Sequence, residues 1–151
     1  MVMNTNNTAS SAKLVIFADS FCPLCMNEMS HLARLDTVGA IKFIDIQCPQ
    51  SMSAYSNISF EKANEILHGI LPNNQIILGL DVTHEAWKLV GKGYLTGLIR
   101  LPIISLLSDK VYLWFAKHRY RISYYLTGQT RCDESCSIQS REAYNSVFNR
   151  D

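Results

Sequence analysis

The sequence predicts an α/β domain with a mixed sheet, in which a pair of cysteines follows a buried strand. Two observations carry this prediction: a continuous apolar run over Leu14–Ala18, and a Cys22-Pro23-Leu24-Cys25 motif that opens an amphipathic stretch. The composition agrees, since 48% hydrophobic and 18% charged residues are typical of globular chains. A chain of 151 residues is long enough to bury one core, so we expect one main domain.

Hydrophobic periodicity and turn residues place the elements in order. The β-branched run over Leu14–Ala18 predicts a buried parallel strand. Pro23 suits the first position of a helix, and apolar side chains then recur with helical spacing up to Gly39 (Cys25, Met29, Leu32, Ala33). Further elements are a strand at 41–46, a loop at 47–57, a helix at 59–65, strands at 67–71 and 75–80 around Pro72-Asn73-Asn74, and a helix at 84–90.

The resulting β-α-β-α-β-β-α order is that of a thioredoxin-like fold, with a helical C-terminal extension. We expect residues 1–12 to be a disordered leader, 13–93 the thioredoxin-like core, 94–126 a helical extension packed on the core, and 127–151 a polar, loosely ordered tail. Pro102 is predicted to start one segment of the extension, and residues 109–126 a long helix. Its apolar stripe, near Val111, Trp114, Phe115 and Ile122, is expected to pack on the sheet.

The cysteine pair has the spacing of a dithiol redox centre. Two cysteines three residues apart in the first turn of a helix can close a disulfide with little backbone movement. Cys22 lies at the helix N-terminus, where free N–H groups and the helix dipole favour a thiolate, so we expect a lowered pKa. Cys25 shares the apolar face of the helix and is expected to be shielded and less acidic. These differences predict that Cys22 attacks a substrate disulfide and that Cys25 then resolves the mixed disulfide.

Two other interpretations of the cysteines stay open. Cys22, Cys25, Cys132 and Cys136 form two close pairs, which could bind zinc. A zinc knuckle, however, usually lies between short strands, whereas this motif follows an apolar strand and opens a helix, so redox chemistry is favoured. The third interpretation is a thioredoxin-fold binding module that makes no use of its thiols. Cys132 and Cys136 could also form a second redox pair.

The net charge, the N-terminal sequence and the absence of some motifs limit the partners, the compartment and the cofactors that we expect. The formal net charge of +1 predicts no general affinity for nucleic acid, and no apolar run reaches the length of a membrane span. No secretory signal is recognisable, so we expect a cytoplasmic protein whose partners are a thiol or disulfide substrate and a dithiol electron donor. No dinucleotide or phosphate-binding motif appears, so no cofactor is predicted. Lys110 to Arg131 contains cations but no acid, which indicates a solvated helix face or a surface for an acidic partner.

The motif resembles that of the thiol-disulfide oxidoreductase DCC family, whose pattern Asp-x-x-Cys-x-x-Cys stands here as Asp19-Ser20-Phe21-Cys22-Pro23-Leu24-Cys25. The resemblance runs from about residue 14 to 126. It includes Asp45-Ile46-Gln47, Leu67-His68, Gly79, Glu85-Ala86-Trp87 and a late motif, Tyr112-x-Trp114-Phe115-Ala116-x-His118-Arg119-Tyr120-Arg121. It implies a predicted oxidoreductase on a thioredoxin-like fold. The chain departs from the family in carrying Ser20 where a glycine is usual, and from thioredoxins in lacking a proline before the third strand.

Two further residues complete the predicted site. Asp19 is expected either to accept a proton from the thiols or to hold the loop through an Asx turn. His68 stands where a cis-proline would face the cysteines, and could move protons or stabilise the thiolate, although a lone histidine is more often structural. Outside this site, Arg119 and Arg121 are expected to anchor the last helix by ion pairs, with binding of a substrate anion as the alternative.

Overall fold

A four-stranded mixed sheet organises the part of the chain that the computed structural model describes, residues 12–128 and 144–149. The strands are β1 (Leu14–Ala18), β2 (Ile41–Asp45), β3 (His68–Ile70) and β4 (Ile76–Leu78), in the spatial order β2-β1-β3-β4. β1 pairs with β2 in parallel, and β3 pairs antiparallel with both β1 and β4. This mixed α/β arrangement confirms the predicted thioredoxin-like fold.

Helices cover the sheet and extend beyond it. They are α1 (Pro23–Leu35), α2 (Pro49–Met52), α3 (Phe60–Glu65), α4 (Leu80–Leu89), α5 (Gly93–Gly97), a 3₁₀ turn at Leu98–Arg100, α6 (Pro102–Thr127) and a short helical segment at residues 144–148. Within the described ranges, none of these helices combines the length and apolarity needed to cross a bilayer.

Alternate residues of β1 supply two cores on opposite faces of the sheet. Ile16 packs with Leu32 of α1 and Val82 of α4, while the next residue, Phe17, packs with Ala63 of α3. This alternation follows from the two-residue period of a strand. Leu32 is fully buried, and burial of one such side chain contributes about 1.5–3 kcal/mol. The central strand is thus fixed from both faces, and its carboxyl end carries the cysteine motif.

Two elements differ from the prediction in the middle of the chain. The predicted loop at 47–57 contains α2, which begins at Pro49 directly after an extended Cys48. α4 begins at Leu80 rather than at residue 84, because Gly79 takes a positive φ of 56° and turns the chain immediately after β4. β4 has three residues, so the apolar residues that follow Gly79 belong to α4. In a short apolar run, hydrophobic periodicity alone does not distinguish a strand from a buried helix.

The long helix was predicted to pack an apolar stripe on the sheet, and this prediction is wrong for Val111 and Trp114, whereas Phe115 and Ile122 are partly buried. α6 is continuous from Pro102, and Val111 and Trp114 are 57% and 59% exposed. The buried residues of α6 are Arg119 and Ser123. The inner side of α6 faces a polar cluster around Asp19, so its buried positions are polar and much of its apolar surface faces outwards.

The end of the chain is also more ordered than predicted. Residues 144–148 are helical, and Val147 is 2% exposed in the core beside partly buried Tyr144 and Phe148. The expectation of a loose polar tail is therefore wrong for this segment, whose three apolar side chains have the spacing of a helix face. The predicted leader up to residue 11 and the part of the tail at 129–143 lie outside the described residues.

Candidate active site

The cysteine motif forms the turn between β1 and α1. The N–H of Cys22 donates to the carbonyl of Asp19 at 3.2 Å, and the N–H of Met26 donates to the carbonyl of Cys22 at 3.0 Å. Cys22 is the N-cap of α1, and its Sγ accepts a hydrogen bond from the N–H of Cys25 at 3.3 Å. A thiolate at this position satisfies one of the free donors of the helix start. The cap therefore favours the charged form of Cys22.

The two thiols have opposite pKa shifts. Hydrogen bonding from Cys25 lowers the pKa of Cys22, and the nearby Arg119 lowers it further, against opposing contributions from burial and Asp19. The pKa of Cys25 is raised well above its ordinary value, first because of its hydrogen bond to Cys22 and then because of burial. Deprotonation of one thiol thus discourages deprotonation of the other. At neutral pH, the arrangement favours a thiolate on Cys22 and a thiol on Cys25.

The exposure of the two cysteines is the reverse of the sequence expectation. Cys22 is 0% exposed, whereas Cys25 is only partly buried. The N-cap geometry explains this, since the side chain of Cys22 folds back over the first turn of α1 instead of projecting into solvent. Cys25, the residue of the pair with the greater exposure, is therefore the one with the higher pKa.

A cavity of about 640 Å³ lies beside the dithiol. Residues of α1, α3, α4 and α6 line it, among them Cys25, Arg119, Leu24, Leu80, Tyr112 and Phe115. Its volume is in the range that binds small organic molecules. Cys25 therefore borders a space large enough for a small disulfide or for one or two side chains of a protein substrate.

Asp19 holds the loop through four side-chain hydrogen bonds. Its Oδ1 accepts from the N–H of Phe21 at 3.0 Å and from Gln47 Nε2 at 2.8 Å. Its Oδ2 accepts from Arg119 Nη2 at 2.9 Å and from the hydroxyl of Tyr120 at 2.5 Å. The bond to Phe21 is the Asx turn that the sequence predicts. The carboxylate is 3% exposed, so these donors replace the water that it loses on burial.

Arg119 ties α6 to the cysteine loop. Besides its ion pair with Asp19, its Nη2 donates to Asn64 Oδ1 at 2.8 Å, and the guanidinium lies 4.8 Å from the ring centre of Tyr120. Burial lowers the pKa of Arg119, but the negative potential of Cys25, Tyr120 and Asp19 outweighs this and raises it overall. The predicted ion-pair anchor is thus present, and it places a permanent cation beside the dithiol. The same anchor was predicted for Arg121, and there the prediction is wrong: Arg121 is exposed and forms no ion pair within residues 12–128 and 144–149.

Tyr112, Tyr120 and Gln47 were named from the sequence only as part of the family resemblance, without a role, and Asn64 was not named. The hydroxyl of Tyr112 accepts from the N–H of Leu67 at 3.4 Å, and burial raises its pKa to about 12. Tyr120 also has a pKa of about 12, through burial and its bond to Asp19. Tyr112 and Tyr120 belong to the late motif that contains Arg119, and this motif was the one signal that could have identified them.

His68 is not brought to the cysteines by any hydrogen bond or ion pair of the described residues. It is buried in β3, where its Nδ1 lies 2.8 Å from the carbonyl of Ile66. His68 pairs directly with Phe17, so both side chains lie on the same face of the sheet. That face is opposite the one that packs against α1. The peptide bond between Leu67 and His68 is trans, as are the other peptide bonds of the described residues.

The remaining cysteines differ in what can be said of them. Cys48 precedes α2, its thiol donates to Gln50 Oε1 at 3.3 Å, and hydrogen bonding from Ser51 lowers its pKa. Cys132 and Cys136 lie outside the described residues, and so does the zinc site that would need them. Residues 12–128 and 144–149 contain no group of three or more histidine, cysteine or acidic side chains placed to hold a metal ion.

Ser20 stands where the Asp-x-x-Cys-x-x-Cys pattern of the family usually has glycine, and its φ is not positive. Asn74, in the turn between β3 and β4, is the non-glycine residue with positive φ in the described ranges. The loop before Cys22 therefore accepts a serine without strain.

A dithiol with split pKa values, at the first turn of the helix that follows the central strand of a thioredoxin-like sheet, defines the class of thiol–disulfide oxidoreductases. Comparison with known families places the chain more narrowly. The family model described as DCC1-like thiol-disulfide oxidoreductase matches residues 16–124, and the chain belongs to this family.

One curated relative is the uncharacterized protein At5g50100, chloroplastic, of Arabidopsis thaliana. It is 27% identical over 113 residues, which cover 74% of this chain and 53% of the relative. The chain thus spans about half the length of the curated relative that it matches. No solved structure matches the chain significantly.

Proposed function

We propose that this protein catalyses reversible thiol–disulfide exchange, with Cys22 as the nucleophile and Cys25 as the resolving thiol. The observation that carries the proposal is the hydrogen bond from the N–H of Cys25 to Cys22 Sγ, together with the opposite pKa shifts of the two thiols. A nucleophile needs to be a thiolate, and a resolving cysteine needs to stay protonated until the mixed disulfide has formed.

The proposed reaction transfers two electrons to the substrate. The Cys22 thiolate attacks one sulfur of a substrate disulfide, a new S–S bond forms, and the other substrate sulfur leaves as a thiolate that takes up a proton. Cys25 then loses its proton and attacks Cys22, which closes the Cys22–Cys25 disulfide and releases the second substrate thiol. An external dithiol protein reduces the disulfide again, and we propose a reducing compartment, the cytoplasm, for this cycle.

In this proposal, Arg119 and Asp19 are positioning residues. Arg119 stabilises the Cys22 thiolate electrostatically, while Asp19 partly opposes it. Every oxygen of the Asp19 carboxylate already accepts two hydrogen bonds, which favours a role in holding the loop over one in accepting protons. His68 has no proton-transfer role here, because it lies on the other face of the sheet.

The cavity beside Cys25 is the proposed substrate entrance. Cys22 is fully buried, so a disulfide has to reach it from the side on which Cys25 is accessible. A compact disulfide that fits about 640 Å³ should therefore react faster than one held within a rigid protein surface. This substrate preference follows from access and not from the pKa of the nucleophile.

Trapping of the mixed disulfide tests the proposal. In a background in which Cys48, Cys132 and Cys136 are serine, Cys25→Ser should accumulate an adduct on Cys22 with glutathione disulfide, identified by mass spectrometry. The matched Cys22→Ser variant should accumulate far less. An adduct on neither variant would contradict exchange at this site, and an adduct only on Cys25 would exchange the two roles.

A further inference from the structure

The outer face of α6 carries an exposed apolar surface that the fold does not use. Its apolar residues are Ile103, Leu106, Leu107, Trp114, Tyr124 and Tyr125. Ile103 is 88% exposed, and Leu106 and Tyr125 are 71% and 79% exposed. At 100° per residue, these six positions fall on one side of the helix, opposite Tyr112 and Arg119. Exposed apolar residues are normal singly, but a continuous helix face of them indicates an interaction surface.

Cations are interspersed on the same face. Lys110, Lys117 and Arg121 are exposed, and none of them makes an ion pair among the described residues. From residue 92 to 127 the sequence contains one acid, Asp109, which forms an ion pair with Arg100 at 2.7 Å. The outer face of α6 therefore presents apolar, aromatic and positively charged side chains without a negative charge to offset them.

We propose that this face binds the surface of an anionic lipid bilayer. Lysine and arginine side chains near a bilayer are attracted to anionic head groups, and apolar side chains of the same surface enter the interface; because both kinds share one face of α6, the contact we propose is at the head-group level. Tryptophan and tyrosine are the side chains that prefer the head-group level, and Trp114, Tyr124 and Tyr125 supply them. Lys110 and Lys117 have stems long enough to keep their ammonium groups in water while the helix lies flat.

The charge pattern favours a lipid surface over a second copy of the chain. A twofold dimer through this face would bring like charges together, because Lys110, Lys117 and Arg121 would meet the same residues of the partner with no acid to pair them. An anionic bilayer offers negative charge along the whole helix, which is about 39 Å long. The opposite side of α6 keeps Arg119 and Tyr112 at the dithiol, so the same helix joins the lipid surface to the active site.

Vesicle co-sedimentation of the full chain tests the proposal. Vesicles with 30% phosphatidylserine, about the anionic content that gives a strong surface potential, are compared with pure phosphatidylcholine at low and at high salt. The protein should sediment with the anionic vesicles at low salt, bind much less at high salt, and bind less still to phosphatidylcholine. Each cation near such a surface changes partitioning about fivefold, so a Lys110→Gln, Lys117→Gln, Arg121→Gln variant should bind about 100-fold more weakly.

Controls separate lipid binding from the other occupants of the face. Lys13→Gln, Lys42→Gln, Lys62→Gln removes three cations outside α6 and should leave vesicle binding within a few fold of the wild type. The emission of Trp114 should shift to the blue on binding, and a Trp114→Phe variant should lose that shift. Equal binding to both kinds of vesicle, no vesicle binding at low salt, or a stable dimer by light scattering that the charge variant leaves intact would each overturn the proposal.

Discussion

The ion pair between Arg119 and Asp19 gives the sharpest prediction on stability and reactivity together. The side chains are 10% and 1% exposed, so neither charge has much water to replace its partner. Replacement of Arg119 by Met removes the cation and leaves the Asp19 carboxylate buried with the donors of Tyr120, Gln47 and Phe21. Removing one partner of a buried pair costs about 3–5 kcal/mol, and the remaining donors favour the lower end, about 3 kcal/mol.

Urea unfolding of the reduced protein at neutral pH measures this loss. Arg121→Met is the matched control, since Arg121 lies two residues further along α6 but is exposed. Its effect should stay within about 0.5 kcal/mol. Arg119→Met should also raise the pKa of Cys22, because Arg119 lowers it in the wild type. Equal unfolding midpoints for the two variants, with an unchanged Cys22 pKa, would refute the assigned role of this ion pair.

The pH dependence of Cys22 alkylation, measured in a Cys48→Ser background, gives the first of three further predictions. The alkylation rate should rise with pH with a midpoint below pH 9.0, because the pKa of Cys22 is lowered. Cys25→Ala should move that midpoint upwards, because it removes the side-chain hydrogen bond to Cys22, and an unmoved midpoint would contradict this. Gly79→Ala combines a φ of 56° with a Cβ 3.0 Å from the Tyr112 ring, so it should destabilise the fold by about 1–3 kcal/mol, and by more than Gly91→Ala, whose Cβ meets nothing within 4 Å. Tyr112 keeps its proton to about pH 12 in the folded state but only to about pH 10 when unfolded, so its contribution to stability is full below pH 10 and is lost between pH 10 and 12. This loss amounts to about 2–3 kcal/mol of the free energy of unfolding, and Tyr112→Phe should abolish it. If urea titrations show the same decrease between pH 10 and 12 in the variant, the prediction is wrong.

The sequence predicted the elements that local patterns define. β1 was predicted at its observed bounds because a continuous run of apolar residues that includes β-branched ones is typical of a strand that is buried on both faces beside a parallel neighbour. Pro23 marked the start of α1 for a similarly local reason, since its fixed φ suits the first helical position. The dithiol at a helix N-terminus follows directly from these two elements.

The partners in distant contacts were not predicted, although an ion pair of Arg119 was expected. Arg119 and Asp19 lie 100 residues apart, and the residues between them give no local sign that the two side chains meet. The two buried residues of α6, Arg119 and Ser123, are polar, so a search for an apolar stripe placed Val111 and Trp114 on the inner side although both are exposed. The burial of Cys22 is a similar case, because it depends on how the N-cap side chain turns and on what packs over the loop.

His68 shows the limit of placing a residue by analogy with a known fold. Its position at the start of β3, where thioredoxins have a cis-proline, suggested a side chain facing the cysteines. The register of β3 with β1 sets the face instead, and His68 pairs with Phe17, whose side chain points away from α1. A shift of one residue in this register would reverse the face.

The central claim is that Cys22 and Cys25 form a redox couple, and its reduction potential tests this most directly. A variant that keeps Cys22 and Cys25, with Cys48, Cys132 and Cys136 replaced by serine, is equilibrated in glutathione or dithiothreitol buffers of graded potential, and the fraction of Cys22–Cys25 disulfide is read by mass spectrometry after alkylation. We expect a single two-electron transition between about −270 and −120 mV, the range of known exchange proteins. Persistence of two free thiols at every potential in that range would contradict it.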